Sequence, residues 1–169
     1  VEYNYNRVQE LLTQSLSESP DIIVLPETWN TGFYPSTDLI NIADNNGDRT
    51  KALLSAFAKE HNVNIVGGSV AVAKDNLVFN TSYVYNRNGE LVGEYSKMHG
   101  FSPAKEDKYF ASGTHTTHFE LDGIPCSTVI CYDIRFPELV RMAALPGTEL
   151  LFVPAQWPTM RLRHWQVLN

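Results

Sequence analysis

The sequence predicts an α/β fold built on a mixed sheet. Segments with apolar residues at helical spacing alternate with short apolar runs of strand length, which is the pattern of a layered helix-on-sheet domain. Two strand-like arms flank an Asn-Gly turn, so at least one pair of strands is antiparallel and the sheet is mixed. With 169 residues, 43% apolar and 19% charged, the chain suits one domain that buries its own core without staples. No linker, repeat or low-complexity stretch divides it, so residues 1–169 are expected to form a single domain.

The elements follow in order. Val8, Leu11, Leu12 and Leu16 fall on one helical face, and Pro20 bounds that segment. Ile22 to Leu25 is a short buried strand that stops at Pro26 and is followed by Glu27. From Asn30 to Asp48 the residues Gly32, Pro35, Ser36, Asn45, Asn46 and Gly47 mark a long loop, a kind of segment that often carries function. Leu53, Leu54, Phe57 and Ala58 mark a second amphipathic helix, and Val63 to Val72 a strand running through Gly67-Gly68. The hairpin arms are Phe79 to Tyr85 and Leu91 to Tyr95, with Lys97 just beyond. Residues 98–117 show no period and read as a surface loop. Asp122-Gly123 then turns the chain into the run Ser127-Thr128-Val129-Ile130 that ends at Cys131. A third helix spans Leu139 to Leu145 before Pro146-Gly147, a strand spans Leu150 to Val153, and Thr159 to Asn169 is helical.

A net charge of −6 with no basic stripe speaks against nucleic-acid binding. No apolar run approaches the ~18–20 residues of a membrane span. Cys126 and Cys131, on one extended run, would lie roughly 16 Å apart, too far to bridge. A reducing, cytoplasmic setting is therefore expected, with Cys126 structural. His99, His115 and His118 lack zinc-protease spacing, and no metal site is expected.

Chemistry collects at strand ends. Glu27, Lys97, Cys131 and Trp157 each lie at or just past the C-terminal end of an expected strand, the edge where open α/β sheets bind ligands. Cys131 stands where a strand passes into a helix, and there the helix dipole favours a thiolate. Glu27 is a candidate general base and Lys97 a fixed positive charge for an oxyanion. Each residue also has an ordinary reading: a small buried hydrophobe for the cysteine, a solvated loop residue for the glutamate, an edge charge for the lysine, a core cap for the tryptophan. The shared location favours one site over separate accidents. His61, His99 and His164 are candidate bases for a cysteine protease, but none has a supporting local signature. Arg161 and Arg163 could hold a substrate carboxylate or simply start an exposed helix.

At these residues the sequence resembles the nitrilase superfamily of carbon–nitrogen hydrolases. The resemblance rests on Leu25-Pro26-Glu27-Thr28-Trp29-Asn30-Thr31-Gly32-Phe33, on Glu94-Tyr95-Ser96-Lys97-Met98-His99, and on Ile130-Cys131-Tyr132-Asp133-Ile134-Arg135-Phe136-Pro137-Glu138. It implies a four-layer α-β-β-α sandwich and a Glu27, Lys97, Cys131 catalytic set, with Glu106 as the family's further glutamate. The segment Pro154-Ala155-Gln156-Trp157-Pro158 with Arg161 and His164-Trp165 resembles the bacterial omega-amidase branch, which acts on 2-oxo acid amides such as 2-oxoglutaramate. The resemblance further implies a homodimer or higher homo-oligomer and no metal or organic cofactor. The family begins with a strand ahead of the first helix and continues past Asn169, so the sandwich is expected to be incomplete at both ends.

The implied reaction is amide hydrolysis through a Cys131 thioester, with the oxyanion held by Lys97 and the Tyr132 backbone N–H. Trp157 and Arg161 are expected beside the substrate. The rival reading is a non-catalytic interaction module or inactive fragment; the intact triad argues against the first.

Overall fold

The computed structural model describes residues 1–32 and 38–168. Phe33 of the first motif, Pro35 and Ser36 of the turn-rich stretch, and Asn169 lie outside the described residues.

Helix α1 (Glu2–Ser15) buries Tyr5, Val8 and Leu12, while Leu11 of the expected face is exposed. Strand β1 (Ile22–Val24) follows. The stretch from Asn30 to Asp48 is not loop throughout. It contains a short helix, α2 (Leu39–Ile42), and a two-residue strand, β2 (Asp44–Asn45). Leu39 packs on Ala71 and Val78, a contact invisible to local periodicity. Asp44 accepts the backbone N–H groups of Arg49 and Thr50, which lie in the first turn of α3 (Asp48–His61). Those donors have no partner inside the helix, so the carboxylate satisfies them and complements the dipole. Helix α3 buries Leu54, Phe57 and Ala58, as the spacing predicts.

The expected strand from Val63 to Val72 is broken into β3 (Asn64–Val66) and β4 (Val70–Lys74). Both lie along one edge of the long strand β5 (Leu77–Tyr85), whose other edge carries β6 (Leu91–Ser96). Val66 faces Val84 and Val70 faces Thr81, so four steps on one strand meet three on the other. The extra residue is a bulge at Gly67-Gly68, where Gly68 has φ +63°. A Cβ there would lie 2.0 Å from the Pro26 carbonyl oxygen. This close approach lets Ser69 and the turn after β1 exchange hydrogen bonds: Ser69 N–H to Pro26 O at 3.0 Å, and Trp29 N–H to Ser69 O at 3.1 Å. The bulge is thus the platform under Glu27.

The hairpin between β5 and β6 forms as expected, with Gly89 at φ +76° in its turn. Residues 98–117 hold two short 3-10 turns, Ser102–Ala104 and Glu106–Lys108. A strand the sequence reading did not anticipate, β7 (His118–Leu121), pairs with β8 (Ile124–Thr128) around Asp122-Gly123. Helix α4 (Pro137–Ala144), strand β9 (Leu150–Phe152), parallel to β8, and helix α5 (Leu162–Leu168) complete the described chain.

Two sheets result, β1-β3-β5-β4-β2 with β6 beside β5, and β7-β8-β9. Helices α1 and α3 cover the first through Leu12, Leu54, Phe57 and Ile65. The sheets meet through Val66 and Val84 on one side and Phe119, Leu121 and Cys126 on the other. Helix α4 covers the outer face of the second sheet through Leu139 and Ala143 against Val129. The layers run α-β-β-α, the sandwich the resemblance implies. Cys126 lies in the seam between the sheets, and both cysteines are free.

The bulge supplies a test. Gly68→Ala should lower unfolding free energy by about 2 kcal/mol or more, because strain and a backbone clash coincide. Gly123→Ala, at φ +81° but with open space around it, should cost only about 1–2 kcal/mol. Urea unfolding midpoints of the two variants compare the effects directly, and equal losses would deny the bulge its role.

Candidate active site

The ends of β1, β6 and β8 meet at one corner of the sandwich, and each delivers one side chain. Glu27 follows β1 by three residues, Lys97 follows β6 directly, and Cys131 follows β8 by three. All three are buried, Glu27 completely. Lys97 is pinned by its backbone N–H to Asn80 O at 2.8 Å, which continues the hairpin ladder past β6. Its ammonium donates to Glu27 Oε1 at 2.7 Å and to Glu106 Oε2 at 2.8 Å. Glu106 comes from the second 3-10 turn and also accepts the Phe101 backbone N–H at 2.7 Å. Glu27 Oε2 accepts the backbone N–H of Gln156 at 3.0 Å, tying the first motif to the segment after β9.

Burial opposes the charge on Lys97, but the two carboxylates outweigh it, and the ammonium holds its proton more firmly than an ordinary lysine. The Cys131 thiol moves in the same sense. Burial first, then the charge of Glu27, push its pKa up, with Lys97 acting the other way. This corrects the expectation of a dipole-stabilised thiolate. Residues Cys131–Arg135 form a 3-10 turn, and α4 starts only at Pro137, so the cysteine does not open an α-helix. The resting group is a neutral thiol beside a carboxylate.

Cys131 itself has φ +47°, a strained conformation for a residue with a side chain. Asp133 holds the turn in that shape. Fully buried, it accepts Tyr95 Oη at 2.7 Å, Ile130 N–H at 3.1 Å and His99 N–H at 2.9 Å, with His99 Nδ1 at 3.0 Å. His99 also stacks on Phe136 with ring centroids 3.6 Å apart. Lys97 and Cys131 are therefore braced against each other through their own neighbours. Cys131 N–H donates to Pro154 O at 2.9 Å, which fixes the thiol to the end of β9 as well.

Cys131 opens onto a cavity of about 250 Å³, lined in part by Phe101, Tyr132, Arg135, Trp157, Arg161 and His164. Trp157 donates its indole N–H to Arg161 O at 2.8 Å, and the Arg161 guanidinium lies 5.3 Å from the centre of the Phe101 ring. All seven residues singled out from sequence (Glu27, Lys97, Cys131, Glu106, Tyr132, Trp157 and Arg161) are therefore brought to one place. Of the proposed arginine pair, Arg161 reaches the cavity wall, and its companion there is Arg135 rather than Arg163, which is exposed. The charges that act on the thiol are those of Glu27 and Lys97; of the candidate histidines, His99 is engaged by Asp133, His61 packs on Phe57, and His164 stands in the cavity wall. Among the described residues no three His, Cys, Asp or Glu side chains gather as metal ligands.

Sequence reasoning missed Asn80, Tyr95 and Asp133. A signal existed for two of them: Asn80 is a polar residue in an apolar strand, at the position paired with Lys97, and Asp133 lies two residues past the cysteine.

The raised pKa values carry a sign for stability. The folded state holds protons on Cys131 and Lys97 that the unfolded chain gives up near ordinary thiol and amine values, about 8.5 and 10.4. Their contribution is complete below those values, declines as pH rises above them, and is lost once pH passes the raised folded-state values. The urea midpoint should therefore fall from pH 8 to 10, and less steeply in Cys131→Ser. An identical slope in both proteins would show that the thiol is not held neutral by the fold.

The whole chain, residues 1–169, matches the carbon-nitrogen hydrolase family. It is 43% identical over 159 residues to a 2-oxoglutaramate amidase of Bacillus subtilis, covering 94% of this chain and 61% of that protein. A hydrolase in the agr operon of Staphylococcus aureus is 36% identical, with 98% of this chain and 64% of the relative covered. The chain thus spans just over three fifths of the length of these relatives. Among solved structures, a CN-hydrolase superfamily protein of Xanthomonas campestris with an arsenic adduct in its active site superposes with TM-score 0.84 at 29% identity, over 99% of this chain and 63% of that one. Saccharomyces cerevisiae Nit3, of the nitrilase superfamily, gives 0.85 at 28% over 99% and 64%. With the family match running over residues 1–169 and relatives of 43% and 36% identity beside it, the chain belongs to the carbon-nitrogen hydrolase family.

Proposed function

We propose that the protein carrying this chain is an omega-amidase, which hydrolyses the terminal amide of a small carboxylic or 2-oxo acid and releases ammonia. The observation that carries the reading is the Lys97 ammonium lodged between Glu27 and Glu106 beside the neutral Cys131 thiol, at the base of a cavity of small-molecule size. Support for the substrate class comes from two sides. Arg135, Arg161 and His164 line the cavity around the thiol, where a free substrate carboxylate would be held. Relatives from Bacillus subtilis and Paenarthrobacter nicotinovorans are 2-oxoglutaramate amidases.

In this mechanism Glu27 takes the thiol proton as Cys131 sulfur attacks the amide carbon. The oxyanion that forms is held by Lys97 and the backbone N–H of Tyr132, donors of a kind each worth ~3 kcal/mol. Lys97 has three N–H bonds; one serves Glu27, and Glu106 can share another between its oxygens, leaving one for the oxyanion. Glu27 passes its proton to the departing nitrogen, ammonia leaves, and the acyl group remains as a thioester. Water then gives a proton to Glu27 and adds to the thioester; collapse releases the acid and restores the thiol. Glu106 fixes Lys97 throughout, and Trp157 forms one wall of the substrate site.

Cys131→Ala should abolish ammonia release from 2-oxoglutaramate while changing stability by no more than about 1–2 kcal/mol. Mass spectrometry of Glu27→Gln should show turnover slowed by on the order of 10²–10⁴. Arg161→Met should raise KM for 2-oxoglutaramate roughly tenfold or more and leave a neutral amide nearly unaffected. A chain that neither releases ammonia nor acquires an acyl adduct at Cys131, even at full length, would point instead to an interaction module.

A further inference from the structure

Those roles leave one buried polar side chain in the corner unused. Asn80 lies in the middle of β5, across from Lys97, and is 1% exposed. Its amide nitrogen donates to Glu27 Oε1 and to Glu106 Oε1, both at 3.1 Å. A primary amide has two N–H bonds, so each carboxylate receives one and none is left over. The reversed amide would set its oxygen against two carboxylates, so the network itself fixes which way the group points. Asn80 Oδ1 has no hydrogen-bond partner among the described residues, and Asn80 borders a cavity of about 10 Å³ with Lys97, Gly100 and Glu106, roughly the space of one water.

The consequence falls on Glu27. Its Oε1 is occupied by Lys97 at 2.7 Å and by Asn80, whereas Oε2 takes the Gln156 N–H and keeps a lone pair. The Asn80 bond adds a second tie on Oε1, and so opposes rotation about the terminal torsion, broad and roughly two-fold, that would exchange the two oxygens. The link to Glu106 gives the two like charges a second shared donor beside Lys97.

We propose that Asn80 is a positioning residue for the amide hydrolysis: it locks Glu27 and Glu106 into one unit about Lys97 and so makes Glu27 Oε2 the oxygen that receives the Cys131 proton. The inference rests on Glu27 acting as base, as assigned under the proposed function.

Iodoacetamide, a small neutral amide, tests it without depending on which amide is the natural substrate. The thiol sulfur bonds to the methylene carbon, the C–I bond breaks to release iodide, and Glu27 takes the proton. The rate of Cys131 labelling is followed by mass from about pH 5 to 9, alongside unfolding midpoints. The wild-type rate should be level through neutral pH and fall along an acid limb, where the group that takes the thiol proton is itself protonated. Asn80→Ala should slow labelling on the order of 10- to 100-fold through misplaced geometry. Asn80→Asp keeps the shape but adds a third carboxylate, and should move the acid limb up by about one pH unit. Leu54→Ala, which loosens the core under α3, should lower the unfolding midpoint and leave the limb in place. A rate within about twofold of wild type for Asn80→Ala, or an unmoved limb in Asn80→Asp, overturns the proposal while the base assignment stands. A wild-type rate that climbs about tenfold per pH unit towards an ordinary thiol pKa overturns the base assignment and this inference together.

Discussion

Everything at the active corner depends on one buried ammonium. Lys97 sits buried between two carboxylates, and taking such charges out of bulk water costs several kcal/mol per ion. The cost is offset only if the partners stand at hydrogen-bond distance and their remaining lone pairs are filled. Here all four carboxylate oxygens accept at least one hydrogen bond, from Lys97, from Asn80 and from the backbone N–H groups of Phe101 and Gln156, and Glu27 Oε2 keeps one lone pair facing the thiol's proton. These donors come from β5, from the loop after β6 and from the segment after β9, so the charged cluster is stable only when both sheets are assembled. Removing one partner of a buried pair typically costs 3–5 kcal/mol, which makes the site a constraint on the fold as much as a product of it.

The cysteine turn answers to the same constraint. A neutral thiol beside Glu27 avoids a further buried charge, which is why burial prevails over the pull of Lys97. Keeping the sulfur there requires a residue at positive φ, and Asp133 meets that need with four donors, two of them from His99, two residues past Lys97. The bulge at Gly68 plays the corresponding part for Glu27, since only a residue without a side chain lets the Pro26 carbonyl come so near. Each of the three side chains thus has its own backbone device, and each device engages a different sheet edge.

Much of this was legible beforehand because the relevant signals are local. Apolar spacing located α1, α3, β1 and both hairpin arms, and the placement of Glu27, Lys97 and Cys131 just beyond strands pointed to a shared edge. The missed elements had no local signal of comparable strength. Strand β2 is two residues long, α2 is held by Leu39 against Ala71 and Val78, and β7 emerges only through pairing with β8. Asn80 stands out only as a polar residue in an apolar strand, and gains its role when Glu27 and Glu106, far away in sequence, arrive on either side of it.

By itself the sequence determined the layer type, the three motifs and the identity of the acid, amine and thiol, because periodicity and residue chemistry are properties of short segments. Tertiary structure alone decided that the thiol rests protonated, that Lys97 is shared by two glutamates, and that Arg135 rather than Arg163 stands with Arg161 at the cavity. Those outcomes turn on distance and on exclusion of water. Both arise only when segments remote in the chain close over one another and the dielectric around the charges falls.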